Sequence, residues 1–141
     1  MANPESIDTT ERFASIRQIH GAIDHLHKGD FECAITLAAA GEGILPPTDR
    51  PHLLQKIKAI VDSLPSHEGE ANRANDIINW LKHGTTLQDG KRFDTVTITE
   101  MEMIGVITRA ISKFIAVYNY QTPQMASFVD WAIARLSGES K

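Results

Sequence analysis

The chain of 141 residues has a single cysteine, Cys33, so it can form no intramolecular disulfide and no thiolate-based zinc site. No apolar run approaches the roughly 20 residues needed to cross a bilayer. No charged segment leads into an apolar stretch at the start, so no secretory leader is expected and the cytoplasm is the expected compartment. The sequence has no glycine-rich phosphate loop, no nucleophile elbow and no His-Glu-x-x-His. Glu-x-x-His is also missing, which excludes the usual carboxylate-bridged di-iron bundle. Positive charge is in deficit, with 14 Lys and Arg against 18 Asp and Glu and a net charge of -4. A broad nucleic-acid surface needs clustered cations, so nucleic acid is not the expected partner. No cofactor and no bound metal are expected.

What remains is the composition of an ordinary globular protein, 42% hydrophobic and 23% charged, of a length that fits one domain over residues 1–141. Residues 1–6 read as a disordered lead and residues 84–98 as a polar loop. The chain is organised around Asp30 to Leu45, DFECAITLAAAGEGIL. Asp30 is suited to cap a helix with its carboxylate. At about 100° per residue, Phe31, Ala34, Ile35, Ala38, Gly41 and Leu45 share one arc. Cys33, Leu37 and Ile44 form a second arc beside it. The pattern predicts a helix surrounded over most of its circumference, with the Cys33 thiol buried. Glu42 falls inside the first arc, where a carboxylate needs a partner or a shifted pKa.

The flanking segments also read as helices. Phe13, Ile16, Ile19, Ile23 and Leu26 give an amphipathic helix from about Thr10 to Lys28, stopped by Gly29. The tight Gly29-Asp30 turn makes it an antiparallel neighbour of the next helix. Pro46-Pro47 ends that second helix, and Pro51 opens a third, with Leu53, Leu54, Ile57, Ile60, Val61 and Leu64 as its stripe. After a linker at Ser66 to Gly69, a fourth helix is predicted from about Glu70 to His83, with Ala71, Ala74, Ile77, Ile78 and Leu81 inward. Thr95 to Thr99 alternates like a strand without an evident mate. Thr97 or Thr99 therefore reads as a cap, with Glu102 completing a capping box in the second case. A central helix runs from Glu100 to about Asn119, and Pro123 precedes a last one ending at Gly138. The expected architecture is all-α, an up-and-down bundle of about six helices.

The polar face of the fourth helix carries the least ordinary pattern. Asn72, Asp76, Asn79 and His83 are spaced four, three and four residues apart, hence share one face. Such a face is commonly just solvated. Amides and an imidazole, in place of Lys and Glu, also suit directional recognition of a partner subunit or a ligand. Elsewhere His20, Asp24 and His27 have helical spacing, but a metal site would need further ligands, and these histidines read as surface or boundary residues. Arg109 and Lys113 read as a pair of salt-bridging cations on the polar side of the central helix.

The segment Asn79-Trp80-Leu81-Lys82-His83 resembles the Asn-x-x-x-His end of the motif in HEPN domains (higher eukaryote and prokaryote nucleotide-binding). Glu42, late in a long helix, resembles a carboxylate often found in that family. The resemblance implies a small α-helical, often dimeric domain, which in many members cleaves RNA through an Arg and a His. Asn79 and His83 match that pattern, whereas Ile78 stands where the Arg is expected. The guanidinium would hold the scissile phosphate while histidine moves the 2'-hydroxyl proton, and an aliphatic side chain does neither. The expected function is therefore a non-catalytic interaction or ligand-binding module. It is expected to be a homodimer, with a protein or small ligand meeting Glu42, Asn72, Asp76, Asn79 and His83. The alternatives are an RNA- or nucleotide-acting enzyme using His83, and a small-molecule or metal binder centred on Glu42.

Overall fold

A computed structural model of the protein describes residues 5–48, 70–84 and 95–138, leaving out the side chains of residues 70–74. Five α-helices and no strand occur among the described residues, so the fold is all-α. They are α1 (Glu11–Lys28), α2 (Phe31–Gly43), α3 (Glu70–His83), α4 (Glu100–Tyr118) and α5 (Pro123–Leu136). The helix expected over residues 51–64, the linker at residues 66–69 and most of the polar loop lie outside the described residues.

Local chemistry sets the ends of α1. Thr10 is extended and its Oγ1 accepts the Phe13 amide at 3.1 Å, satisfying one orphan donor of the first turn. At the other end Gly29 takes φ 84°, the left-handed region that favours glycine. The Asp30 amide then donates to the His25 carbonyl at 2.9 Å, closing a Schellman turn. The chain reverses there and α2 runs back along α1.

Two expectations for α2 are corrected. Asp30 occupies the cap position, but its carboxylate makes no capping bond; Oδ2 turns instead to His25 Nδ1 at 3.2 Å. A histidine one turn back on α1 competes successfully for the short side chain. The Cys33 thiol is exposed, and Ile44 is 38% exposed. The arc of Ala34, Ile35, Ala38, Gly41 and Leu45 is buried, while of the second arc Leu37 packs partly buried against the core and Cys33 and Ile44 are exposed. Apolar character had suggested burial for Cys33, yet its angular position places it with exposed Thr36 and Ala40. Phe13 on α1 is likewise half-exposed, with the Arg17 guanidinium 5.7 Å from its ring centre.

The inner side of α2 is made of small residues because α1 lies close against it. An added Cβ at Gly41 would sit 2.9 Å from Ile19 Cγ1 and 3.4 Å from both Gln18 Cβ and the Ser15 carbonyl oxygen. Ala34 and Ala38 are fully buried on the same arc.

The central helix is α4, buried on almost every side through Met103, Ile104, Val106, Ile107, Ala110, Ile111, Phe114 and Ile115. Its start is a full capping box: Thr99 Oγ1 accepts the Glu102 amide at 3.1 Å, and Glu102 Oε1 accepts the Thr99 amide at 3.0 Å. The alternating stretch before it is not a strand, although Val96 and Ile98 still pack on the core. Asn119, at φ 60°, ends α4 and allows a short turn into α5, which Thr122 caps and Pro123 opens. Arg135 near the end of α5 reaches Glu100 at the start of α4 at 2.7 Å, as antiparallel neighbours require. Met125, Phe128, Val129 and Ala132 bury one face of α5. Ile77 of α3 is buried, and Ile78 and Leu81 pack against the same core. No described helix is long and apolar enough to cross a membrane.

The two glycines of α2 should separate under substitution. Gly41→Ala forces a methyl group into Ile19 and is expected to cost about 1–3 kcal/mol. Gly43→Ala meets nothing within 4 Å and is expected to stabilise by about 0.4–1 kcal/mol through the unfolded chain. Urea unfolding of both variants checks the pair, and equal midpoints would contradict the close approach of the helices.

Candidate functional site

Glu42 sits at the C-terminal end of α2, on the inward arc, with its side chain 23% exposed. Arg109 of α4 donates from Nε to Glu42 Oε1 at 2.8 Å. Lys113, one turn further along α4, donates from Nζ to the Glu42 backbone carbonyl at 3.3 Å. The two cations therefore both serve the end of another helix.

The surrounding backbone explains why cations are needed there. A helix ends with carbonyls that lack intrahelical donors and with partial negative charge. Pro46 and Pro47 follow α2 without N–H groups, and α2 has no basic residue in its last turn. The Ile44 amide serves Ala40 and the Leu45 amide serves Glu42. The Gly41 carbonyl accepts instead from the buried Ser15 hydroxyl of α1 at 2.7 Å. Ser15, Arg109 and Lys113 thus complete the end of α2 from two neighbouring helices. Glu42 is held within this arrangement, and its chemistry is that of a structural lock.

The remaining expected site residues lie on α3. Asp76 and Asn79 are half-buried and His83 is exposed in the last turn. Each of the three has an interaction partner, as does Trp80. Asn72 lies at the start of α3, and its side chain is outside the described residues. The hydrogen bonds of Glu42 go to α4, so the expected residues fall into two groups: Glu42 with the α2 terminus, and Asp76, Asn79 and His83 on α3. Ile78, between the members of the second group in sequence, is partly buried against the core. Among the described residues no cluster of three or more metal-ligating side chains occurs. A shallow depression lined by Thr10, Glu11, Arg12 and Tyr118 contains none of these residues.

A third polar group joins the middle of α1 to the start of α5. His20 Nε2 lies 2.8 Å from Thr122 Oγ1, and the same oxygen accepts the Met125 amide at 3.2 Å. Gln124 donates to Asp24 Oδ1 at 3.1 Å and to the His20 carbonyl at 3.5 Å. Burial lowers the pKa of His20 below that of a free imidazole, opposed by the nearby Asp24 carboxylate. His20 and Thr122 are 102 residues apart, so no local pattern could pair them. Ser15, Arg109 and Lys113 left a fainter trace: a helix ending in two prolines must draw donors from elsewhere.

Removing the Glu42 side chain strands Arg109 and loosens the end of α2. Glu42→Ala is expected to cost about 1–2 kcal/mol, the lower part of the range for a charged hydrogen bond because Arg109 is 39% exposed. Glu32→Ala, at an exposed position on α2, is expected to cost at most about 0.5 kcal/mol. Chemical denaturation with equal midpoints for the two variants would refute this placement.

No protein-family model, curated protein or solved structure matches the chain.

Proposed function

We propose that the chain is a non-catalytic, HEPN-like interaction or ligand-binding module that works as a homodimer in the cytoplasm. In this reading residues 51–64 supply the sixth helix of an up-and-down bundle, and the Asp76/Asn79/His83 face of α3 meets the second subunit, a protein partner or a small ligand. The observation that carries it is the position of Ile78. This residue stands where the resemblance calls for a phosphate-holding Arg, and its side chain packs partly buried against the core. It therefore contributes to the stability of α3 and offers no charge or donor to a substrate. His83 is exposed one turn beyond Asn79, so that this face carries an imidazole and an amide, groups suited to directional contacts. The net charge of -4 works against the approach of a polyanion.

A time course with mixed single-stranded RNA tests the absence of catalysis. Wild-type protein is expected to leave the RNA intact, and His83→Ala to alter assembly or binding with no change in turnover. Cleavage by wild type that disappears in His83→Ala would overturn the reading. Cleavage only in Ile78→Arg would support a scaffold that lacks its catalytic cation.

The dimer is tested by light scattering on the full chain at tens of micromolar. A mass twice that of the chain is expected, and a monomer mass would remove the two-fold arrangement from the proposal.

A further inference from the structure

We propose that His20, Thr122 and the first turn of α5 form a proton-sensitive latch, which docks α5 on α1 while His20 is neutral and loosens when it takes up a proton. The geometry is a short relay between two helices distant in sequence. Thr122 is the N-cap of α5, and its oxygen accepts the Met125 amide at 3.2 Å. In the latch the hydroxyl hydrogen is directed at His20 Nε2, 2.8 Å away. That bond requires Nε2 to be the unprotonated nitrogen, hence a neutral ring with its hydrogen on Nδ1.

Protonation reverses the polarity of this contact. Nε2–H must then donate to an oxygen that already accepts the Met125 amide, and the hydroxyl hydrogen loses its acceptor. The imidazolium also faces the N-terminal end of a helix, where the partial charge is positive. The other helices with a threonine cap carry carboxylates in the first turn, Glu11 on α1 and Glu100 and Glu102 on α4. The first turn of α5 has no acidic residue. Gln124 from α5 is neutral, and Asn119, Tyr120 and Gln121 of the preceding turn carry no charge at neutral pH. Asp24, four residues along α1, is the one charged group among the described residues that acts on His20, and it favours the protonated ring. Its Oδ1 already accepts from Gln124, and its side chain lies toward solvent. Desolvation of the half-buried ring is the larger effect.

The direction of the pH effect follows. With the folded pKa below the unfolded value of about 6.5, the unfolded chain binds more protons between the two. The stabilisation from the latch is fully present above about pH 6.5 and is lost as pH falls through the lower folded value.

The test is amide exchange on the full chain at pH 7.5 and pH 5.5, read as protection factors to remove the intrinsic pH dependence. Protection of the Met125 amide is expected to fall about fivefold at the lower pH, the loss of roughly one hydrogen bond. The Phe13 amide, bonded to Thr10 with no histidine in contact, serves as the internal reference and should not change. In His20→Gln the Met125 response should disappear. Unchanged Met125 protection in wild type, or an equal fall in His20→Gln, would overturn the proposal. Nitrogen-15 shifts of the wild-type ring give a reading independent of any variant. A ring protonated on Nδ1 at pH 7.5, titrating below about pH 6.5, is expected; a hydrogen on Nε2, or a higher pKa, would overturn it.

Discussion

The C-terminal end of α2 is the constraint on which the described architecture depends. The residues that follow serve only part of its carbonyls, because two of them are prolines. Ser15 from α1 serves the Gly41 carbonyl and Lys113 from α4 adds to that of Glu42, with Arg109 fixing the Glu42 side chain. An unsatisfied buried carbonyl costs about 1–3 kcal/mol, comparable to a sizeable part of a small domain's net stability. The end of α2 is therefore most favourable when α1 and α4 are both in place. Hydrophobic burial brings the three helices together without specifying their register. The polar contacts at this one point specify it.

Close packing reinforces the same register. Gly41 is both the residue whose carbonyl Ser15 serves and the one whose missing side chain admits Ile19. Sliding α1 by one turn along α2 would move Ser15 off that carbonyl and bring a larger residue to the gap. The hydrogen bond and the van der Waals contact thus select one alignment, although neither alone amounts to more than a few kcal/mol. The helix N-termini are more autonomous. Those of α1, α4 and α5 are each capped by a threonine hydroxyl from the chain itself.

This contrast explains what was legible in the sequence. Helix starts and glycine stops are local chemistry, so the extents of α1, α3, α4 and α5 and the Thr99–Glu102 box follow from short patterns. The inner arc of α2 follows from periodicity, and so does the oddity of Glu42. Its partner did not follow, since Arg109 is 67 residues away and shares its polar face only with a second cation, Lys113. Cys33 and Phe13 were misplaced because an apolar residue is a poor guide to burial when a helix has one covered side. Asp30 failed as a cap because His25 offered its carboxylate a nearer use. The His20–Thr122 contact had no local signature at all.

Assigning Glu42 to the lock changes the weight of the remaining candidates. A carboxylate committed to Arg109, beside a lysine committed to a backbone carbonyl, has its hydrogen-bonding capacity directed into the fold. Using it to bind a ligand would compete with the bonds that set the register of α2. On α3, Ile77, Ile78 and Leu81 hold the helix to the core. The bonds of Glu42 to α4 make it part of the scaffold, and the proposed recognition role rests on the α3 face that carries Asn79 and His83.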